Sequence, residues 1–181
     1  MLKKTLENSW FVGGLWVAFL AYGFFLFNFS SYPKLLELGG GMDLPESHLA
    51  PTWEYQSLFV DRLGEQVGLY KTFQLMDLPN AILFGLTLGV TIYFLFSLAN
   101  MKKFAIGALA IPVLFVIADI SENVVMYVNL GNPQKLDNGL SGIFMRLTQA
   151  KLALGSISLL LLLVAILVFL MDFLGKRFNW K

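Results

Sequence analysis

Four apolar runs, each close to the length of a bilayer crossing, constrain this chain more than any other feature. They cover residues 10–29, 81–99, 104–123 and 152–171. A helix needs about 20 residues to cross a hydrocarbon core of roughly 30 Å. The bulk composition agrees. Of 181 residues, 57% are hydrophobic and 14% are charged, against about 25% charged in a soluble domain. A water-soluble fold is nearly excluded. The expectation is an all-α integral membrane four-helix bundle, a single membrane domain over residues 1–181.

Counts remove several classes of chemistry. A net charge of +1 leaves no electrostatic footprint for nucleic acid. With no Cys, thiol nucleophiles, Cys-bound zinc and iron–sulfur clusters are excluded. His48 is the sole imidazole, which excludes multi-His iron or haem sites and a Ser–His hydrolase within the chain. There is no phosphate-loop or dinucleotide glycine motif. No cofactor and no metal are expected.

The first span follows Lys3 and Lys4 and runs twenty residues without a charge. It is longer and more aromatic than a cleavable signal core, so it reads as a retained anchor. The second has Pro79 at its expected start, where a missing N–H does no harm. It carries Gly85 and Gly89 at GxxxG spacing, which would let a neighbouring helix approach closely. The third begins after Lys102 and Lys103. Only fifteen residues separate Phe104 from Asp119 inclusive of Phe104, which is about 22 Å of helix. That is too short to cross, so Asp119 and Glu122 must sit in or near the edge of the hydrocarbon. Pro112 is expected to kink this helix. The fourth span lies between Lys151 and Asp172, with Gly155, Ser156 and Ser158 near its start. Lys176, Arg177, Trp180 and Lys181 follow as a basic, aromatic anchor.

Basic residues set the direction. Lys3, Lys4, Lys102, Lys103, Lys176, Arg177 and Lys181 fall on one side of four crossings. The positive-inside rule places both termini in the cytoplasm of a multi-pass protein of the cell membrane. Residues 30–78 then form an extracytoplasmic loop, rich in Asp and Glu. Lys135, Arg146 and Lys151 on the second outer segment oppose this bias. Gly39, Gly40, Gly41, Pro45 and Pro51 mark turns in the first half of the loop. Phe59, Leu63, Val67, Tyr70 and Phe73 then recur at helical spacing. The loop is thus expected to be partly helical, as one or two amphipathic helices across the outer end of the bundle, with Gly64 and Gly68 as weak points. They would act as a shield or as a gate over a pocket.

One polar constellation carries whatever chemistry exists. Asp119, Glu122, Asn123 and Met126 share a face of the third span. A carboxylate in the apolar region costs up to ~2.5–3.5 kcal/mol at its centre and normally turns inward to a partner. Counting helical rise brings Asp77, Asp119, Glu122, Asn123 and Lys151 to one level at the outer boundary. Arg146 and Gln149 would join if the last helix starts early, with Tyr70 and His48 above on the loop. Three readings are open. Asp119 or Glu122 could pair with Lys151 in a structural network, with Asp77 capping the second helix. The same residues could form a pocket for a lipid headgroup, a small polar ligand or a cation. Or Asp119, Glu122 and Asp77 could supply a carboxylate dyad that activates water against an amide or ester.

The stretch Ala118-Asp-Ile-Ser-Glu-Asn-Val124 resembles a D-x-x-E-N pattern of predicted four-helix bacterial membrane proteins of unassigned function. Leu63-Gly64, Gly68, Tyr70, Asp77 and Pro79 look similar to a stretch ahead of their second span, although their Gly-Arg pair is Val67-Gly68 here. This resemblance covers about half the chain and implies no activity. The layout is also similar to lipoprotein signal peptidase. That family's Asn-x-Gly-x-Ala-Phe stretch is absent, and Lys151 stands where its second catalytic Asp opens the fourth helix. The favoured expectation is a non-enzymatic pocket built from Asp77, Asp119, Glu122, Asn123, Lys151 and Arg146. Its partners would be membrane lipid, a small polar ligand or a partner transmembrane helix. A carboxylate-dyad intramembrane hydrolase is the alternative.

Overall fold

The computed structural model describes residues 8–132 and 136–177. Lys3, Lys4, Lys135, Trp180 and Lys181 lie outside the described residues. The described chain forms α1 (Ser9–Phe29), α2 (Tyr32–Leu38), α3 (Trp53–Leu63), α4 (Val67–Leu98), α5 (Lys102–Ala108), α6 (Ala110–Asn129) and α7 (Asn138–Arg177). Tight 3-10 turns lie at Pro45–Ser47 and Gly64–Gln66. No strand occurs among the described residues. Four stretches are long and apolar enough to cross a membrane: α1 with α2, α3 with α4, α5 with α6, and α7 alone. Large apolar side chains stay exposed along them, such as those of Val17, Leu20, Ile106, Leu160 and Met171. In water such a surface would be a liability. Against lipid it costs nothing.

The first helix starts where Asn8 accepts a hydrogen bond from the Trp10 amide (3.0 Å), an N-cap in a sequence with no other early signal. It packs along α4. Three polar ties join the pair: Trp16 Nε1 donates to Thr91 Oγ1 (3.0 Å), the Tyr22 hydroxyl to the Met76 carbonyl (2.6 Å) and the Thr87 hydroxyl to the Leu15 carbonyl (3.4 Å).

The second span begins earlier than its proline suggests. The helix α4 is 32 residues long, and Pro79 lies inside it. Residues 67–78 are therefore helix rather than loop, and Asp77 is an interior residue rather than a cap. An interior proline forfeits one backbone hydrogen bond and crowds the preceding turn. The stretch before it compensates by burial, since Val67, Tyr70, Phe73, Gln74 and Asp77 are all buried on the bundle side. The amphipathic stripe expected in the loop is real in its burial. Phe59, Leu63, Val67, Tyr70 and Phe73 all lie in one core cluster with Leu26, Leu35 and Met126. The stripe is shared between two helices, because the chain turns at Gly64, whose φ of 52° suits glycine.

The third span is interrupted at Leu109, between α5 and α6. Pro112 accounts for the position: it lacks the N–H that would bond the Ala108 carbonyl. The helix then continues past Asn123 to Asn129. The last helix is the longest at 40 residues. It starts at Asn138 rather than at Leu152, so most of the expected second outer loop is helix. Asp137 opens it by accepting from the Leu140 amide (2.7 Å). Asn129 joins the ends of α6 and α7 through the Asp137 amide (2.8 Å) and Ser141 Oγ (3.0 Å).

Helices α4 and α6 approach closely at two glycines. A Cβ added at Gly85 would lie 2.0 Å from Val116 Cγ2, and one at Gly89 would lie 3.4 Å from Leu109. The GxxxG face is used, and it is occupied by a helix of the same chain. Two apolar cores result. One gathers the 30–66 segment over the ends of α1, α4, α6 and α7. The other joins Ile92, Tyr93 and Phe96 to Ala105, Ala108 and Ala165 at the opposite end. The polar residues lie just beneath the first.

Candidate functional site

Three helices and one turn bring five charged side chains into the interior. Glu46, Asp77, Asp119, Glu122 and Lys151 are each no more than 8% exposed. Register explains the last three. Asp119, Glu122 and Asn123 point from one face of α6, together with Phe115 and Met126. On α7 the buried residues Phe144, Thr148, Lys151, Gly155 and Ser158 recur every three or four positions and face them.

Lys151 Nζ makes its close contact with Glu122 Oε2 and stands 3.5 Å from Asp119 Oδ1. The Thr148 hydroxyl donates to Glu122 Oε1 and also lies 3.0 Å from the Phe144 carbonyl. Glu122 is thus saturated by a cation and a hydroxyl. Asp119 Oδ1 keeps the longer of the two contacts, because Lys151 sits closer to Glu122. Asp77 is held by amides: Asn80 Nδ2 donates to Oδ1 (3.1 Å) and Asn123 Nδ2 to Oδ2 (3.3 Å).

Glu46 completes the group from the turn at Pro45–Ser47. Its Oε2 accepts from the Tyr70 hydroxyl at 2.5 Å and its Oε1 from Gln74 Nε2 at 3.2 Å. Tyr70, Gln74 and Asp77 are spaced i, i+4 and i+7 on α4 and so share a face. Burial pushes the Glu46 carboxyl up to about 7, against the opposing effect of the Tyr70 hydrogen bond. Lys151 and Asp77 act on it in opposite directions with smaller effect.

A pH dependence follows with a definite sign. Below the ordinary value of 4.5, Glu46 is protonated whether the chain is folded or not. As pH rises the unfolded chain ionises first, so stability falls through the window from 4.5 to about 7. The loss is complete above that window and is on the order of 3 kcal/mol. Glu46→Gln keeps an acceptor for Tyr70, and its amide can donate to the unpartnered Gln74 Oε1. Thermal unfolding at pH 5 and pH 8 should show the native chain losing ground to this variant at the higher pH. A constant gap between them would refute the assignment.

The carboxylates border a cavity of about 330 Å³. Glu46 and Ser47 lie at one end, and Asp77, Asn80, Asp119 and Lys151 line its polar wall. Phe27, Tyr32, Phe73, Phe84 and Phe115 supply the other side. Below Lys151 the cavity runs down α7 past Leu152, Gly155, Ser156 and Leu159. Two of its lining side chains, Phe27 (45% exposed) and Leu159 (50%), reach the outer surface of the bundle. Gly155 lets the Phe115 ring lie close against α7: a Cβ on it would meet that ring at 3.3 Å.

The structure brings together Asp77, Asp119, Glu122, Asn123 and Lys151, all five expected from depth counting. It does not bring in Arg146 or Gln149, which are exposed on α7. The helix does start early enough, but both residues fall off its buried face. His48 is also elsewhere, with its ring 4.2 Å from that of Tyr55 and its Nδ1 accepting from the Ala50 amide. Sequence reasoning missed Glu46, Gln74, Asn80 and Thr148. Gln74 and Thr148 were legible as members of helical faces through Asp77 and Lys151. Glu46 gave no signal, since only a long-range contact places it.

A second concavity, about 370 Å³, lies on the outside of α4 and α6 around Gly85, Gly89 and Pro112. Its walls carry no charged group. Among the described residues no three His, Asp or Glu side chains converge as metal ligands would. No family model, curated protein or solved structure matches the chain.

Proposed function

We propose that the chain is a multi-pass integral membrane protein of the cell membrane with both termini in the cytoplasm. Its outward-facing polar pocket holds the headgroup of a lipid or a small polar ligand. The exposed apolar helix surfaces and the acidic 30–66 segment support the placement, as do Lys102, Lys103, Lys176 and Arg177 at the opposite end. The resemblance to four-helix bacterial membrane proteins names no activity, so the reading stands on the cavity. The observation that carries it is that a cavity of about 330 Å³ touches three buried carboxylates and reaches exposed apolar side chains of α1 and α7.

Binding is favoured over the hydrolase alternative on geometry. A dyad needs two carboxylates close enough to share a proton. Lys151 contacts both Asp119 and Glu122, and Asp77 is committed to Asn80 and Asn123. No carboxylate pair is left free to hold a water between them. The buried network also stabilises the bundle, but a purely structural network has no need of the adjoining space.

Two measurements test the proposal. Reporter fusions after Gly40 and after Lys103 should report from outside and from the cytoplasm, respectively. A cytoplasmic signal at Gly40 would invert the orientation. Ser156→Phe places a ring in the lateral mouth, and Ser156 is exposed, so the fold should survive. Native mass spectrometry of the purified chain should show a retained amphiphile that this variant loses. Equal retention by both would remove the pocket from consideration.

A further inference from the structure

We infer that the ligand's headgroup is a cation, an ammonium or quaternary amine, carried on an apolar chain that enters from the side of the bundle. The inference rests on the pocket reading above and specifies what the pocket selects.

Four buried acids meet one buried base. Lys151 lies against Glu122 and 3.5 Å from Asp119, so its one charge is shared by two acids. Three acids remain on the cavity wall, Glu46, Asp77 and Asp119. The first two are held only by neutral donors, and Asp119 shares Lys151 with Glu122, so a single base serves two of the buried acids. An anion brought here would face these acids. A cation would complete them.

The opposite wall is suited to the same charge. Rings of Phe27, Tyr32 and Phe73 form a continuous edge, with centroids 4.9 and 5.6 Å apart. Phe84 and Phe115 form a second pair at 5.0 Å. Ring faces attract cations, most strongly when both are withdrawn from water. Quaternary ammonium groups are recognised by aromatic walls of this kind. The lower passage has no charge and is lined by Leu152 and Leu159, which suits a hydrocarbon tail. The lateral mouth admits an amphiphile from the bilayer.

The test uses the full chain in dodecyl maltoside micelles. Saturable retention of dodecyltrimethylammonium is compared with that of dodecyl phosphate, with the Ser156→Phe variant as the measure of mixing into micelles. The expected result is that the ammonium is retained at least tenfold more tightly than the phosphate. Asp77→Asn, which does not touch Lys151, should weaken it about tenfold, as should Asp119→Asn. If the second variant fails to fold because Lys151 is disturbed, the first decides the matter. Equal or tighter retention of the phosphate, or no effect of Asp77→Asn in a folded protein, would overturn the cationic headgroup. The pocket would survive that result if Ser156→Phe still abolished retention. If Ser156→Phe changed nothing for either probe, the pocket and the headgroup would fall together.

Discussion

Replacing Lys151 by methionine should destabilise the chain by about 3–5 kcal/mol, the usual cost of stranding a buried charge. Among the described residues Lys151 is the one buried base. It contacts Glu122 and lies 3.5 Å from Asp119. Without it those two carboxylates face each other and Asp77 across a poorly solvated interior. Lys151→Arg keeps the charge and should cost much less. The telling comparison is the double variant Lys151→Met with Glu122→Gln. Removing both partners leaves no uncompensated charge at Glu122, so much of the loss should return. Thermal unfolding of the purified variants reads all three. If Lys151→Met melts with the native chain, the ion pair is not formed as described.

The second large effect is expected at Gly85, and it tests packing instead of charge. A Cβ there would lie 2.0 Å from Val116 Cγ2 and 3.3 Å from the Pro112 carbonyl. The valine methyl could rotate away, but the carbonyl belongs to backbone held by the break at Leu109. Gly85→Val should therefore force α4 and α6 apart and cost about 3 kcal/mol, the upper end of the usual overpacking range. Val116→Ala in the same chain should restore a good part of it. Gly68→Val is the control, because a Cβ at Gly68 meets nothing within 4 Å. Its cost should be small. Equal melting of the Gly85 and Gly68 variants would mean that the α4–α6 approach is looser than the structure has it.

The four long apolar helices were legible because their signal is one of length and composition, and neither depends on neighbours. The helix ends were not. Pro79 marks a plausible start for the second span on local grounds. The buried row Val67, Tyr70, Phe73, Gln74 and Asp77 overrides it, and its worth depends on helices far away in sequence. The same limit governs the site. Depth counting found Asp77, Asp119, Glu122, Asn123 and Lys151, since a helix fixes the height of its residues. It could not fix azimuth, and so Arg146 was expected at a level it does reach but on a face turned away. Glu46 lies in a short turn between prolines. Nothing local distinguishes it from the exposed Glu54 and Glu65, and only Tyr70 and Gln74, more than twenty positions on, give it a role.

The unbroken run of α7 has one more consequence. Forty residues make a rod of about 60 Å, twice the thickness of a bilayer's oily layer. Gln56 holds it near one end through the Ser141 carbonyl (3.1 Å), and Leu161, Leu162 and Val168 pack it against the lower core. A helix gripped at two separated heights cannot lean to match thinner surroundings. Lipids of short acyl chain would have to stretch or pucker around it, so the identity of the host membrane enters the energetics of the protein directly.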